Sequence, residues 1–252
     1  MRDSVVGIIG CGAVGSAVAD FLVRGGVDRL RLYDKDLLEY GNLSRHVLTG
    51  WEVRQGKASA LATRAKSINP MADVKGFGVR IPLEGKGGAY DKAAASLAEC
   101  ELYIDCSTSN DAAAWVSRKA RNERKRVALI FIDYRAEHLT LCVSGRNTAC
   151  SKVERDLYAD VQNGVTPVDW QCYRGPGEGE RQFIPSPGCW HPTFPAAWHD
   201  IQALVACAVR ELDVITGLPE RCSGVGIIWR RNDGDAAGRR GVIEVAWRKE
   251  YR

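Results

Sequence analysis

Apolar positions along the first half of the chain switch repeatedly between short continuous runs and helical spacing. Val5, Val6, Ile8 and Ile9 form an apolar run of the buried-strand kind, followed at once by Gly10, Gly12 and Gly15. Val14, Ala17, Val18, Phe21 and Leu22 then recur at helical spacing as far as Gly25-Gly26. Arg29 to Tyr33 reads as a second strand, ending at Asp34. Trp51 to Ile68 reads as a helix with Ala58, Leu61, Ala62 and Ala65 on one face, stopped by Asn69-Pro70. Asp73 to Val79 is a strand, Pro82 to Gly88 a glycine-rich connection, and Ala89 to Glu99 a helix. Leu102 to Ile104 is a strand, Ala112 to Glu123 a helix, and Val127 to Ile132 a strand. This order predicts an α/β fold, a doubly wound and mostly parallel sheet with helices on both faces.

Beyond Ile132 the pattern changes. Leu139 to Val143 is a strand expected to join the sheet antiparallel, and Cys150 to Val161 a short helix. Gln162 to Pro195 is long and poor in regular structure, as functional loops often are. Thr193 is an expected N-cap, with Pro195 near the first turn of a long helix running to Ile215. Gly224 to Trp229 and Val242 to Trp247 are strands of a C-terminal hairpin. The chain of 252 residues is read as a single domain, a core over 1–145 and an extension over 146–252 that carries the long loop, the long helix and the hairpin.

The glycines add a ligand to this fold. G-x-G-x-x-G between strand and helix permits a tight turn, close approach of amides to a phosphate and close helix packing, and Asp34 stands where such Rossmann-like folds place a ribose-binding acid. A nicotinamide-dependent oxidoreductase would account for that much. The continuation Asp34-Lys-Asp36-Leu-Leu-Glu39-Tyr-Gly-Asn42-Leu43-Ser-Arg45-His46, with Gly56-Lys57 beyond it, brings Asn, Arg and Lys together just after the second strand. That suits a triphosphate.

This run resembles the ThiF/MoeB/HesA superfamily, the adenylating core shared with ubiquitin-activating enzymes. Its signature is approximately D-x-D-x-V-E-x-x-N-L-x-R-Q, then a glycine-lysine element and later N-P. The chain supplies Asp34, Asp36, Glu39, Asn42, Leu43, Arg45, Gly56-Lys57 and Asn69-Pro70, with His46 where Gln is usual. The resemblance implies that Gly10, Gly12, Gly15, Asp34, Asp36, Asn42, Arg45, Lys57 and Asp105 bind ATP and that Asp34 holds the ribose. The implied reaction is adenylation of the C-terminal glycine of a ubiquitin-like or sulfur-carrier β-grasp protein. A homodimer is also implied, as is a conjugating-enzyme-like partner from the run Cys189-Trp190-His191-Pro192-Thr193-Phe194.

A carboxylate attacking the α-phosphate of ATP needs cations against the charge that builds on pyrophosphate, and Arg45 and Lys57 are the expected catalytic cations. The alternative is that both are ordinary solvated charges. Relatives place D-x-T-D-N after the fourth strand, where the second Asp binds magnesium. Here Asp105 matches the first acid, and Asp111 is a shifted substitute for the second. That shift motivates a second reading, an adenylation-like scaffold that binds its partner without turnover. Cys189, just ahead of a helix start with His191 nearby, is an expected thiolate nucleophile that could take the activated carboxyl as a thioester; a structural turn is its alternative.

Nine cysteines without C-x-x-C pairs argue against a disulfide framework and against the structural zinc that many relatives carry. Cys172, Cys189, His191 and His199 fit no compact zinc spacing. The net charge of +4 is too slight to imply a nucleic-acid partner, and the basic end of the helix at Arg118 to Arg126 suits the helix dipole. No apolar run is long enough for a membrane span and no signal-peptide pattern opens the chain, so a cytoplasmic location is expected. Dimeric relatives carry helices ahead of the first strand, which here begins almost at Met1. Either that device is lacking, or this is a piece of a longer polypeptide.

Overall fold

The structure, a computed structural model, describes residues 1–133, 135–145, 148–165, 196–217, 224–232 and 242–251. Eight strands form one sheet: β1 (Val6–Ile9), β2 (Arg29–Tyr33), β3 (Asp73–Phe77), β4 (Leu102–Asp105), β5 (Arg126–Ile132), β6 (His138–Val143), β7 (Val225–Asn232) and β8 (Val242–Glu250). Their spatial order is β3-β2-β1-β4-β5-β6-β7-β8. The first five positions in that order are parallel, and β6, β7 and β8 continue antiparallel. The expected mixed sheet with its terminal hairpin is therefore present, and β8 forms an outer edge.

Alternation along the strands sorts the core into two layers. Val6, Ile8, Leu30, Leu32, Ile104, Ala128, Ile130, Leu139 and Leu141 face helices α1 (Ala13–Arg24) and α2 (Lys57–Ile68) and the long C-terminal helix α6 (Trp198–Gly217). Ile9, Tyr33, Tyr103, Leu129, Cys142 and Ile228 face α3 (Gly88–Glu99), α4 (Asn110–Asn122) and α5 (Cys150–Gln162). Both layers consist of side chains almost wholly removed from water, each contributing roughly 1.5–3 kcal/mol of burial.

Chain order reverses at β1, which lies between β2 and β4. Doubly wound sheets open a crevice at such a point, outside the carboxyl ends of their strands. Two short 3-10 turns, Tyr40–Arg45 and Gly50–Glu52, occupy the connection after β2. The second corrects the expected helix from Trp51, since α2 begins only at Lys57. The Arg54 N–H donates to the Leu38 carbonyl and the Leu38 N–H to the Gln55 carbonyl, Leu37 bridges Gly56, and Gly56 caps α2, so this segment is a turn rather than the start of the helix. β3 stops at Phe77, short of the expected Val79. The expected cap at Thr193 lies outside the described residues. Among the described residues no helix is long and apolar enough to cross a membrane.

Candidate nucleotide site

The glycine turn divides its work between packing and access. Gly10 has φ of +82°, and a Cβ there would lie 2.6 Å from the Ser107 Cα. A Cβ on Gly15 would lie 1.8 Å from the Gly10 carbonyl oxygen. Both positions therefore require glycine. Gly12 differs: a Cβ there would meet nothing within 4 Å. Gly12 is also the N-cap of α1 and supplies no side-chain cap, so first-turn amides stand ready for an anion over that open face.

Asp34, at the end of β2, is tied into the turn. The Cys11 N–H donates to Oδ2 at 2.7 Å and the Asp36 N–H to Oδ1 at 2.8 Å. Burial pushes its carboxyl above the ordinary range, against those two bonds and against Lys57, which pull it down. Lys57, 7% exposed at the start of α2, also bears electrostatically on Cys11 and His46. A buried ammonium thus stands beside the glycine turn. Asp36 is half exposed, with its Oδ2 3.9 Å from Lys57 Nζ and its Oδ1 3.2 Å from Lys35 Nζ.

Asn42 and Arg45 belong to the first 3-10 turn. Asn42 Oδ1 accepts the Glu39 N–H at 3.0 Å, closing a reciprocal cap. Arg45 is buried, and its Nε donates to the Ala196 carbonyl at 3.0 Å, joining this turn to the chain just before α6. The carbonyl partner, far away in sequence, could not be read from the motif.

His46 was not among the expected site residues, yet it clasps the turn. Its Nε2 lies 2.7 Å from the Cys11 carbonyl, and its Nδ1 accepts the Leu48 N–H at 3.1 Å. Only the neutral ring protonated on Nε2 satisfies both, and burial lowers the pKa to about 4. The unfolded chain takes up this proton near pH 6.5. The contribution is therefore complete above about 6.5 and shrinks as pH falls toward 4, by up to about 3 kcal/mol. A glutamine amide also offers one donor and one acceptor. His46→Gln is expected to keep nucleotide affinity within about threefold and to flatten that acid loss, whereas His46→Phe should lose about 2 kcal/mol. Thermal unfolding from pH 7 to pH 4.5 checks both, and an unchanged acid profile in His46→Gln would overturn the assignment.

Asp105 ends β4 and is 5% exposed, with Oδ1 accepting the Ser107 N–H at 2.9 Å. Burial raises its pKa. Ser109 caps α4, which starts at Asn110, two residues earlier than the expected Ala112, so Asp111 lies exposed in the first turn of that helix. Glu154 on α5 also feels Asp105: its carboxyl is raised first by burial and then by that charge. Cys189, with Cys172, His191 and Thr193, lies outside the described residues. Burial raises the six described thiols, Cys11, Cys100, Cys106, Cys142, Cys150 and Cys207, so none of them is a thiolate at neutral pH.

The sequence profile of the ThiF family matches residues 1–150. The ATP-dependent ubiquitin transferase-like protein Cap2 of Enterobacter hormaechei is 30% identical over 222 residues, 88% of this chain and 34% of Cap2. The sulfur carrier protein ThiS adenylyltransferase of Bacillus subtilis is 38% identical over 87 residues, 33% of this chain and 26% of that protein. This chain thus spans about a third of the length of the first of these relatives. A crystal structure of E. coli MccB with AMPCPP and MccA superposes with a TM-score of 0.58 at 16% identity, covering 98% of this chain and 67% of MccB, which is likeness of fold.

Proposed function

Because the chain belongs to the ThiF family, we propose that it adenylates the C-terminal carboxylate of a ubiquitin-like or sulfur-carrier β-grasp protein, using ATP and magnesium. The observation that carries this reading is the open face at Gly12, backed by uncapped α1 amides and by the buried Lys57. Phosphates laid there meet amide dipoles and an ammonium that need no reorganisation as charge develops. The carrier carboxylate oxygen attacks the α-phosphorus, forming an acyl-phosphate bond while the bond to pyrophosphate breaks. Asp34 orients the ribose, and Arg45 and Lys57 offset the charge on the leaving pyrophosphate. Asp105 would hold magnesium, which supplies further neutralisation of phosphate charge when bound. A later step transfers the acyl group to the Cys189 thiolate with release of AMP. Assembly as a homodimer belongs to the same proposal.

Pyrophosphate exchange into ATP, measured with the β-grasp protein encoded nearest to the gene, tests the reading. Exchange should require the carrier and magnesium. It should fall about 10²-fold in Asp105→Asn, survive in Cys189→Ala, and stay within about twofold in Asp111→Asn. The exposed place of Asp111 keeps a second reading in play, that of a scaffold binding its partner without turnover. Carrier binding without any exchange would select it.

A further inference from the structure

Asp133 follows β5 directly and His138 opens β6, so they face each other across the turn between these strands. Asp133 Oδ1 accepts the Glu137 N–H at 2.9 Å, and Oδ2 lies 2.7 Å from His138 Nδ1. Asp133, Glu137 and His138 also bring three ligand atoms within 4.8 Å of one another. Both Asp133 oxygens are already engaged in holding the turn, which argues for a lock rather than a metal centre. In the neutral ring whose Nδ1–H donates to Asp133, Nε2 carries a lone pair. Among the described residues that atom is buried without a hydrogen-bond partner, in a residue only 5% exposed.

The residue paired with His138 on β7 is Arg230. Its Nε–H is likewise buried and has no partner among the described residues, while its terminal nitrogen holds Glu244 on β8. Paired residues on adjacent strands project from the same face with their Cβ atoms about 5 Å apart. An orphan acceptor and an orphan donor therefore stand side by side without satisfying each other, and buried groups of this kind are costly to leave unpaired. A peptide unit presents one N–H and one C=O, the complement of this pair.

The position can be measured from Asp105, near which the adenylation reading places the magnesium and the reacting phosphate. Asp105 pairs with Leu129, and Leu129 with Cys142. That is two strand spacings of about 4.8 Å, and His138 lies four residues along β6 from Cys142 at about 3.4 Å each. Taken at right angles, these give a separation of about 17 Å, the reach of about five extended residues. Resting on the adenylation reading, we infer that His138 and Arg230 clasp one backbone peptide group of the carrier's extended tail, about five residues before its reacting carboxylate. His138 Nε2 accepts the amide N–H, and the Arg230 Nε–H donates to the carbonyl. Asp133 acts as a positioning residue that fixes the tautomer.

Pyrophosphate exchange is measured for the wild type, His138→Phe and Arg230→Met. The carrier is the β-grasp protein encoded nearest to the gene, intact or lacking its C-terminal tail. Each substitution should raise the KM for intact carrier about tenfold, the value of one buried hydrogen bond, and leave the KM for ATP unchanged. If His138→Phe leaves Asp133 stranded and fails to fold, Arg230→Met decides alone. A carrier KM within about twofold of wild type in Arg230→Met overturns the clasp, the gap then belonging to a structural water. Absence of exchange in the wild type instead overturns the adenylation reading. Binding then decides the clasp: intact carrier should bind about tenfold more tightly than tail-less carrier, and that advantage should vanish in Arg230→Met. Equal binding of the two carriers overturns it.

Discussion

Lys57→Ala is expected to lower pyrophosphate exchange by about 10²- to 10³-fold while the protein stays folded. The side chain is 7% exposed and its ammonium stands among Asp34, Cys11 and His46, so its charge is screened little by solvent. Removing it leaves Asp34 buried, but two backbone N–H groups still hold that carboxylate. The cost in stability should therefore be about 1 kcal/mol, against about 3–4 kcal/mol in the transition state. Lys57→Arg keeps the charge but replaces a point donor by a fork, and should recover only part of the rate. Exchange kinetics paired with thermal unfolding separate the two effects. Full activity in Lys57→Ala would reduce Lys57 to a structural counter-charge.

The second large effect divides the glycine turn in two. In Gly15→Ala the new methyl would sit 1.8 Å from the Gly10 carbonyl oxygen, a backbone atom that moves only if the turn does. Loss of at least about 3 kcal/mol is expected, beyond ordinary overpacking, with a melting temperature lower by roughly 6–12 °C for a chain of this size. Gly12→Ala meets nothing within 4 Å and has a φ of −77°, which alanine adopts freely. Its melting temperature should move by less than about 1 °C, while its affinity for ATP falls at least about tenfold because the methyl fills the space a phosphate needs. Unchanged ATP binding in Gly12→Ala would remove the observation on which the nucleotide reading stands.

How far the sequence revealed this molecule depended on the range of each interaction. Ile8 and Ile104, paired across β1 and β4, announce themselves as apolar runs, because burial on both faces leaves no polar positions. Gly10 and Gly15 are legible for a similar reason, since their backbone demands are local. α2 starts beyond the expected Trp51 because Trp51 to Gln55 hold no residue that forbids a helix, while the bonds that make this stretch a turn, Leu38 to Gln55 and Lys57 to Asp36, are invisible to periodicity. The partner of Arg45 at Ala196, and the influence of Asp105 on Glu154, depend on tertiary assembly. His138 and Arg230 lie on strands that meet only in the folded sheet. Asp111, expected near the metal, lies exposed in the first turn of α4, behind the Ser109 cap.

The ring of His46, one donor and one acceptor on opposite sides, also bears on how such a turn drifts over evolutionary time. Histidine and glutamine codons differ only in the third base, so a single transversion exchanges the two side chains. When both fill the same pair of hydrogen bonds, the exchange passes through no broken intermediate. Either side chain then keeps the turn, and histidine adds only sensitivity to acid.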